Sequence, residues 1–487
     1  MENWLLTGML PQPQARSNAQ KSAITPLCIE LFHTSRVEQG GSALGISRIL
    51  WPPSRLETGF SEGELSMMHA AKTRVSRRTL LKAGAAISLF PAPAVLAQTN
   101  EPLRIGFLTV LTGPLAAGGK QQEEGAALFL KERNGMIAGR KVELITQDTA
   151  GQPALAKTKL QELVERSKVH VTIGPLATNE ALAMDGYVRD SKVPLITTTS
   201  AATVDLKARQ PHPYVLHAFG TAPQVTYPLG DYAAKTLGFK KVCIVAEDFT
   251  YGHEGAGGFH LAFEAAGGKI VQKLWPPLNA PEYGVYLAQI KPDVDAIYTG
   301  FAGSNPLRFL KALAEFGLKG KVAVLGNTTM TDEGILKVMG DEAVGVYTGG
   351  WYAAGLDTPD NKKFVAGINA EYKHDPGFYT AGPYTALLII EEALKATKGK
   401  TDDAAAFLKA MHDVRLTHGP IGPIKLDEYG TPILDIHIRK VARVNGKLTN
   451  TIVKTYPQVS QFWTYDPKEA VKQPVFSRDF PPSKNLE

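Results

Sequence analysis

The chain has 487 residues, 53 of them Lys or Arg and 47 Asp or Glu, for a formal net charge of +6. Residues 1–97 hold 10 of the basic and 6 of the acidic residues, so the remaining 390 carry 43 against 41 and are near neutral. With no polybasic stripe left there is no electrostatic case for nucleic acid, and 390 residues suit two domains better than one.

In chain order, residues 1–66 come first, rich in Pro, Ser, Gln and Gly and without a sustained helical or strand period. Then Ser76 to Gln98 reads SRRTLLKAGAAISLFPAPAVLAQ. Its Ser76-Arg77-Arg78-Thr79-Leu80-Leu81-Lys82 start resembles the twin-arginine export signal. The apolar run to Ala97 falls short of the roughly 20 residues that span a bilayer. Val95-Leu96-Ala97 offers the small residue a signal peptidase needs. We expect a signal peptide over 67–97, translation starting at Met67 or Met68, and a mature periplasmic protein beginning near Gln98. The alternative for 1–66 is a disordered extension. Of the two cysteines, Cys28 precedes this leader and Cys243 sits in the apolar run KKVCIVAED, so no internal disulfide is expected.

From Leu103 onward apolar strands alternate with helical patterns. LRIGFLTVL is a strand, QQEEGAALFLKERNG a helix stopped by Gly135, and KVELITQDT a strand. PALAKTKLQELVERS is a helix, VHVTIGPL a strand, NEALAMDGYVRDS a helix and VPLITTTS a strand. Such continuous apolar strands between helices predict a parallel sheet covered on both faces. After an irregular passage from Pro211 to Tyr227 the rhythm restarts with KKVCIVAED, GGFHLAFEAAGG, DAIYTG, LRFLKALAEFG and VAVLGN. Helix TALLIIEEALKAT and hairpin-like segments within GPIKLDEYGTPILDIHIRKVARVNGKL close the pattern. Two such units predict two α/β lobes, with ligand beyond the carboxyl ends of their strands.

The usual chemical motifs are missing. GPLAAGGKQ, Gly113 to Gln121, has Pro114 where a phosphate loop needs its first glycine and Gln121 where it needs Ser or Thr. HEGAGG at His253 has no second histidine for zinc, and no G-x-S-x-G or C-x-x-C occurs. His212 and His217, which bracket HPYVLH, read as loop or core residues. No catalytic residue, metal or cofactor is expected.

Together LRIGFLTVLTGPLAAGG, GRKVELITQDTAGQPALA, VTIGPLATNEALA, VPLITTTSAA, EDFTYGHEGAGGF and GPIGPIKLDEYG resemble the type I periplasmic binding proteins. More narrowly, they resemble the branched-chain amino-acid (leucine/isoleucine/valine) binding family of ABC transporters, over Leu103 to about Lys447. The resemblance implies an α/β fold of two Rossmann-like lobes with parallel central sheets joined by a multi-crossover hinge. The lobes would be 102–221 with 350–432 and 222–349 with 433–463, followed by a tail at 464–487. It also implies a small-molecule ligand, a membrane permease as partner and a monomeric protein.

Residue by residue, the family's carboxylate clamp falls on Thr178 with Leu176 and Ala177 beside it. Donors at a helix start stabilise such an anion, and Thr178 as a plain helix cap is compatible with that role. The second hydroxyl loop places Thr199 and Ser200 near the ligand, the family's own Thr aligning with Ala201. Tyr251, in a Tyr-Gly pair, matches the ligand-covering aromatic of the second lobe. Two further family aromatics fall near Gly118 and near Ala302. The acid that receives an amino acid's ammonium falls at about Thr328, with Asp332 or Glu333 as substitutes if the VLGNTTMTDEG loop is shifted. Taken as aligned, the site keeps a carboxylate clamp and loses the ammonium partner. It would then suit an aromatic or other organic acid stacked on Tyr251, Phe301 or Tyr379. The alternatives are a branched-chain amino acid or amide in the same fold, or a ligand-sensing receptor.

Overall fold

The computed structural model describes residues 101–199 and 209–485. The expected leader, the segment before it and Ser200 lie outside the described residues.

The first sheet is built from β1 (Leu103–Thr109), β2 (Met136–Ile137), β3 (Arg140–Asp148), β4 (Val171–Ile173), β5 (Leu195–Thr197) and β6 (Val215–His217). Its spatial order is β2-β3-β1-β4-β5-β6. Every pairing is parallel except the β2–β3 edge hairpin. The helices between the strands are α1 (Ala116–Glu132), α2 (Pro153–Glu165) and α3 (Thr178–Ser191). Ile105 and Phe107 of β1 pack with Phe129 of α1. Leu108, from the other face of that strand, packs with Leu160 of α2 and Met184 of α3. Both faces are therefore covered, and the strand is apolar throughout because both of its sides are core.

The second sheet holds β7 (Lys241–Ala246), β8 (Lys269–Leu274), β9 (Ala296–Gly300), β10 (Ala323–Gly326) and β11 (Tyr347–Gly350), all parallel to their neighbours in the order β8-β7-β9-β10-β11. Helices α4 (Ala222–Lys235) and α5 (Thr250–Ala265) cover one face, with Leu229, Phe259 and Phe263 against Val242 and Ile244. Helix α6 (Asn305–Glu315) covers the other, with Phe309 and Leu313 against Cys243 and Val245. The chain then returns to the first lobe as α7 (Pro359–Tyr372), α8 (Phe378–Ala396) and α9 (Ala404–His412). Phe364, Leu387 and Phe407 of these helices share a core with Phe129.

Strands β12 (Arg415–Leu416), β13 (Ile424–Leu426), β14 (Pro432–Val444) and β15 (Lys447–Val459) follow. β14 pairs with β13 at its start and with β11 further on, so it runs from one lobe into the other. The crossings are tied together. His217 N donates to Gly430 O at 3.0 Å, and Gln224 Nε2 donates to Pro432 O at 3.0 Å and Val459 O at 2.7 Å.

The passage expected to be irregular, Pro211 to Tyr227, contains β6 and the first part of α4. Pro223 sits in the first turn, where its missing N–H costs nothing. Thr221 and Gln224 exchange the two bonds of a capping box there. Pro228 lies inside the same helix, whose side chains are almost all buried, so packing overrides the breaker.

Candidate functional site

Both sheets share one topological feature. In the order β3-β1-β4 the connections leaving β1 and entering β4 run over opposite faces, which opens a crevice at the carboxyl ends of those two strands. The order β8-β7-β9 does the same in the second sheet. The residues just beyond these strand ends meet in one slot between the lobes. Leu115 follows β1, Leu176, Ala177 and Thr178 follow β4, and Thr199 follows β5. Opposite them stand Phe249 and Tyr251 after β7, Ala302 after β9 and Thr329 after β10. Phe378 and Tyr379, at the start of α8, complete the lining. The slot leaves only about 20 Å³ for the centre of a water molecule, far below the several hundred Å³ of an open ligand pocket. The walls are closed on each other.

Four helices begin at this slot. Leu115 precedes α1, Thr178 opens α3, Tyr251 stands in the first turn of α5 and Phe378 opens α8. Their aligned peptide dipoles direct partial positive charge into a space lined only by uncharged side chains. Burial pushes the phenols of Tyr251 and Tyr379 well above their usual pKa, so both remain neutral.

Local bonds fix the walls. Thr199 Oγ1 donates to Leu176 O, which shapes the turn carrying Leu176 and Ala177. Gln122 Nε2 donates to Thr198 Oγ1 at 2.7 Å, while its Oε1 accepts from Thr109 Oγ1 at 2.7 Å. The carboxylate of Glu180 accepts Ala177 N–H at 3.0 Å, so that amide is already engaged. Tyr251 Oη stands 3.4 Å from Thr329 Oγ1, which also contacts Asn327 Oδ1 at 2.7 Å.

Of the residues picked from sequence, Leu176, Ala177, Thr178, Thr199, Tyr251 and Tyr379 are brought together here. Thr199 stands at the slot, but its hydroxyl proton goes to Leu176 O rather than into the cleft. Phe301 is not at the slot: its ring stacks on Phe309 at 4.5 Å and meets Tyr283 edge-on in the second-lobe core. Thr328 is fully buried and donates to Gly349 O at 2.8 Å, one residue out of phase with the lining residue Thr329. Neither Asp332 nor Glu333 lines the slot. Asp332 accepts Phe378 N–H at 2.9 Å, and Glu333 stands 3.8 Å from the Arg439 guanidinium. That guanidinium is fully buried and donates to Tyr352 O and Thr328 O. Leu115, Phe249, Thr329 and Phe378 are lining residues the sequence reading passed over. For Phe249, Thr329 and Phe378 the signal was adjacency, since each lies within two residues of a residue that was picked; Leu115, six residues past β1, had no such signal.

A larger cavity, of about 280 Å³, lies under the C-terminal segment, among Tyr227, Phe462, Tyr465 and Phe476. It shares no lining residue with the interlobe slot. Among the described residues no group of three or more His, Cys, Asp or Glu side chains is placed to hold a metal, and no helix is long and apolar enough to cross a membrane.

The profile of a family described as periplasmic binding protein matches residues 102–447. The Leu/Ile/Val-binding protein homolog 6 of Brucella suis is 29% identical over 381 residues, covering 76% of this chain and 95% of its own. A solute binding protein of an ABC transporter from Rhodopseudomonas palustris BisB5, solved with 3,4-dihydroxybenzoic acid, is 32% identical with a TM-score of 0.70, covering 74% of this chain and 98% of its own. A second such protein from R. palustris, solved with 4-hydroxybenzoate, is 28% identical with a TM-score of 0.70, covering 77% and 100%.

Proposed function

Since the chain belongs to the type I periplasmic binding proteins of the branched-chain amino-acid family, we propose that it captures a small aromatic carboxylic acid for an ABC transporter and releases it unchanged to the permease. The observation that carries this reading is the slot: four helix N-termini face it, and no charged side chain lines it. A carboxylate gains from helix N-termini without needing a countercharge. An ammonium in the same space would be buried without a partner, which costs several kcal/mol. The rings of Phe249, Tyr251, Phe378 and Tyr379 offer faces to a flat ligand. The benzoates in the two R. palustris proteins support the same ligand class.

In this reading Thr178, at the start of α3, holds the carboxylate with Leu176 and Ala177 beside it, Tyr251 and Tyr379 enclose the ring, and Thr199 shapes the turn. The lobes, 102–221 with 350–432 and 222–349 with 433–463, hinge at the tied crossings and close over the ligand. The twin-arginine pattern at Ser76 to Lys82 supports export to the periplasm, where the closed form docks on its permease as a monomer.

Calorimetry with 4-hydroxybenzoate, 3,4-dihydroxybenzoate, benzoate and leucine tests the reading. At least one aromatic acid should bind about a hundredfold or more tighter than leucine, the ratio that about 2.7 kcal/mol produces. Tight binding of leucine or valine, which the name of the Brucella relative would favour, with no binding of the acids would overturn it.

A further inference from the structure

Asp332 belongs to the second-sheet lobe, just after β10, yet one of the two backbone N–H groups that its carboxylate accepts is in the other lobe. Its Oδ2 accepts the backbone N–H of Phe378, first residue of α8, at 2.9 Å. The side chain of Gln121, on α1 of that other lobe, stands beside the carboxyl and favours its charged form. Only Oδ1, which accepts Gly334 N–H at 3.0 Å, is held from its own lobe. Asp332 is fully buried and Gln121 is 5% exposed, so both are out of water only while the lobes are together.

Two glycines make room for this contact, one on each side of the seam. A β-carbon at Gly377 would stand 2.1 Å from Asp332 Oδ2, and one at Gly334 would stand 2.2 Å from the Gln121 amide. Gly377 has an extended backbone, φ −101° and ψ −174°, that any residue adopts, so its conformation does not demand glycine. Room for the carboxylate does. At the outer edge of the same seam, Lys447 Nζ of the β14–β15 hairpin meets Asp375 Oδ2 at 2.5 Å.

We infer that Asp332 is a closure latch: its carboxylate is held across the seam by Phe378 N–H in the closed protein and returns to water when the lobes part. The held residue neighbours Tyr379, which lines the slot. Closing therefore seats the start of α8 against the ligand space in the same movement that satisfies the carboxylate. A buried carboxylate without this donor would be costly, so the contact favours full closure over a half-closed state. Asp332 is a positioning residue here and touches no ligand. Beside it stand Arg439 and Glu333, which form a buried pair of their own, 3.8 Å apart.

The test uses spin labels at Lys157→Cys and Lys321→Cys, both exposed and one on each lobe, with interlobe distances measured by pulsed electron resonance. Asp332→Ala and Gly377→Ala are compared with the parent, with thermal melts as the check on folding. Gly377→Ala leaves every charge in place and removes only the seat. In ligand-free protein both variants should shift the distances toward longer values. With a bound aromatic acid both should release it about tenfold faster while association changes less than about twofold, since a lost charge-assisted bond acts mainly on dissociation. If Asp332→Ala fails to fold, Gly377→Ala decides. Ligand-free distances equal to the parent's in the folded variants would overturn the latch. This first arm needs no ligand, so failure of the aromatic-acid reading alone would leave it intact.

Discussion

The ring of Tyr379 lies against the bare backbone of Gly118: a β-carbon there would stand 3.0 Å from two of the ring's carbons. The family resemblance puts an aromatic near Gly118, and in this chain an aromatic from α8 stands against that glycine. The pair makes a test that separates binding from stability. Gly118→Ala should strengthen α1 intrinsically, by about 1 kcal/mol of helix propensity, while pushing the ring a few tenths of an ångström into the slot. Affinity for the acid should fall about threefold with no loss of melting temperature. Tyr379→Ala should cost about tenfold by removing the ring face. Calorimetry and a melt on each variant check both, and an unchanged affinity for Tyr379→Ala would remove this ring from the site.

Thr178 stands at the first position of α3 and is 1% exposed at the slot. Thr178→Ala should remove one charge-assisted bond to the ligand carboxylate. The expected loss is about 1.5–3 kcal/mol, or roughly ten- to a hundredfold in dissociation constant. Tyr251→Phe should cost less, because the phenol's 3.4 Å contact with Thr329 is long and the ring face remains. A Thr178→Ala protein that binds the acid as well as the parent would place the carboxylate at another helix start.

The order of the strands and most helices could be read from the sequence, because continuous apolar strands and one-sided helices are direct consequences of a sheet covered on both faces. What could not be read was side-chain direction in the short segments past the strand ends. Thr328 and Thr329 are alike in chemistry, yet a 3₁₀ turn over Thr328–Thr331 sends one to Gly349 O and the other to the slot. Phe301 and Ala302 part in the same way after β9, the ring going to the core. The acids Asp332 and Glu333 looked like ammonium partners only while their own partners, Phe378 N–H and Arg439, lay beyond local sequence. Arg439 sits on β14 about a hundred residues further on, and no local pattern announces that contact.

That difference reverses one expectation. With Thr328 at the slot, a glutamate there would invite an ammonium. Since Thr328 is fully buried against Gly349 O, Thr328→Glu instead buries a carboxyl in packed space. It should destabilise the fold by about 3 kcal/mol or more and leave leucine binding as weak as before. Urea unfolding and calorimetry with leucine check this. A folded variant that gains leucine affinity would show that the VLGNTTMTDEG loop is placed differently from what we describe.

Glu247, at the end of β7, is fully buried, and its carboxyl supports the wall of the slot: Oε2 accepts Ala302 N–H at 3.0 Å and Oε1 accepts from Asn305 Nδ2. Burial outweighs these two bonds and raises its pKa from 4.5 to about 8. The folded protein therefore holds this proton at neutral pH while the unfolded chain has lost it. The contribution to stability is full below about pH 4.5 and is lost progressively as pH rises to about 8. Over that window it amounts to at most about 5 kcal/mol, at 1.36 kcal/mol per unit. Other buried groups titrate too, so the informative quantity is the difference between parent and Glu247→Gln, which cannot ionise. At pH 5 the variant should melt at or slightly below the parent, because its amide cannot accept both donors as a carboxyl does. By pH 8 to 9 it should melt above the parent. Melting curves that run parallel from pH 5 to 9 would mean that Glu247 is ionised in the folded protein, with its two donors outweighing burial.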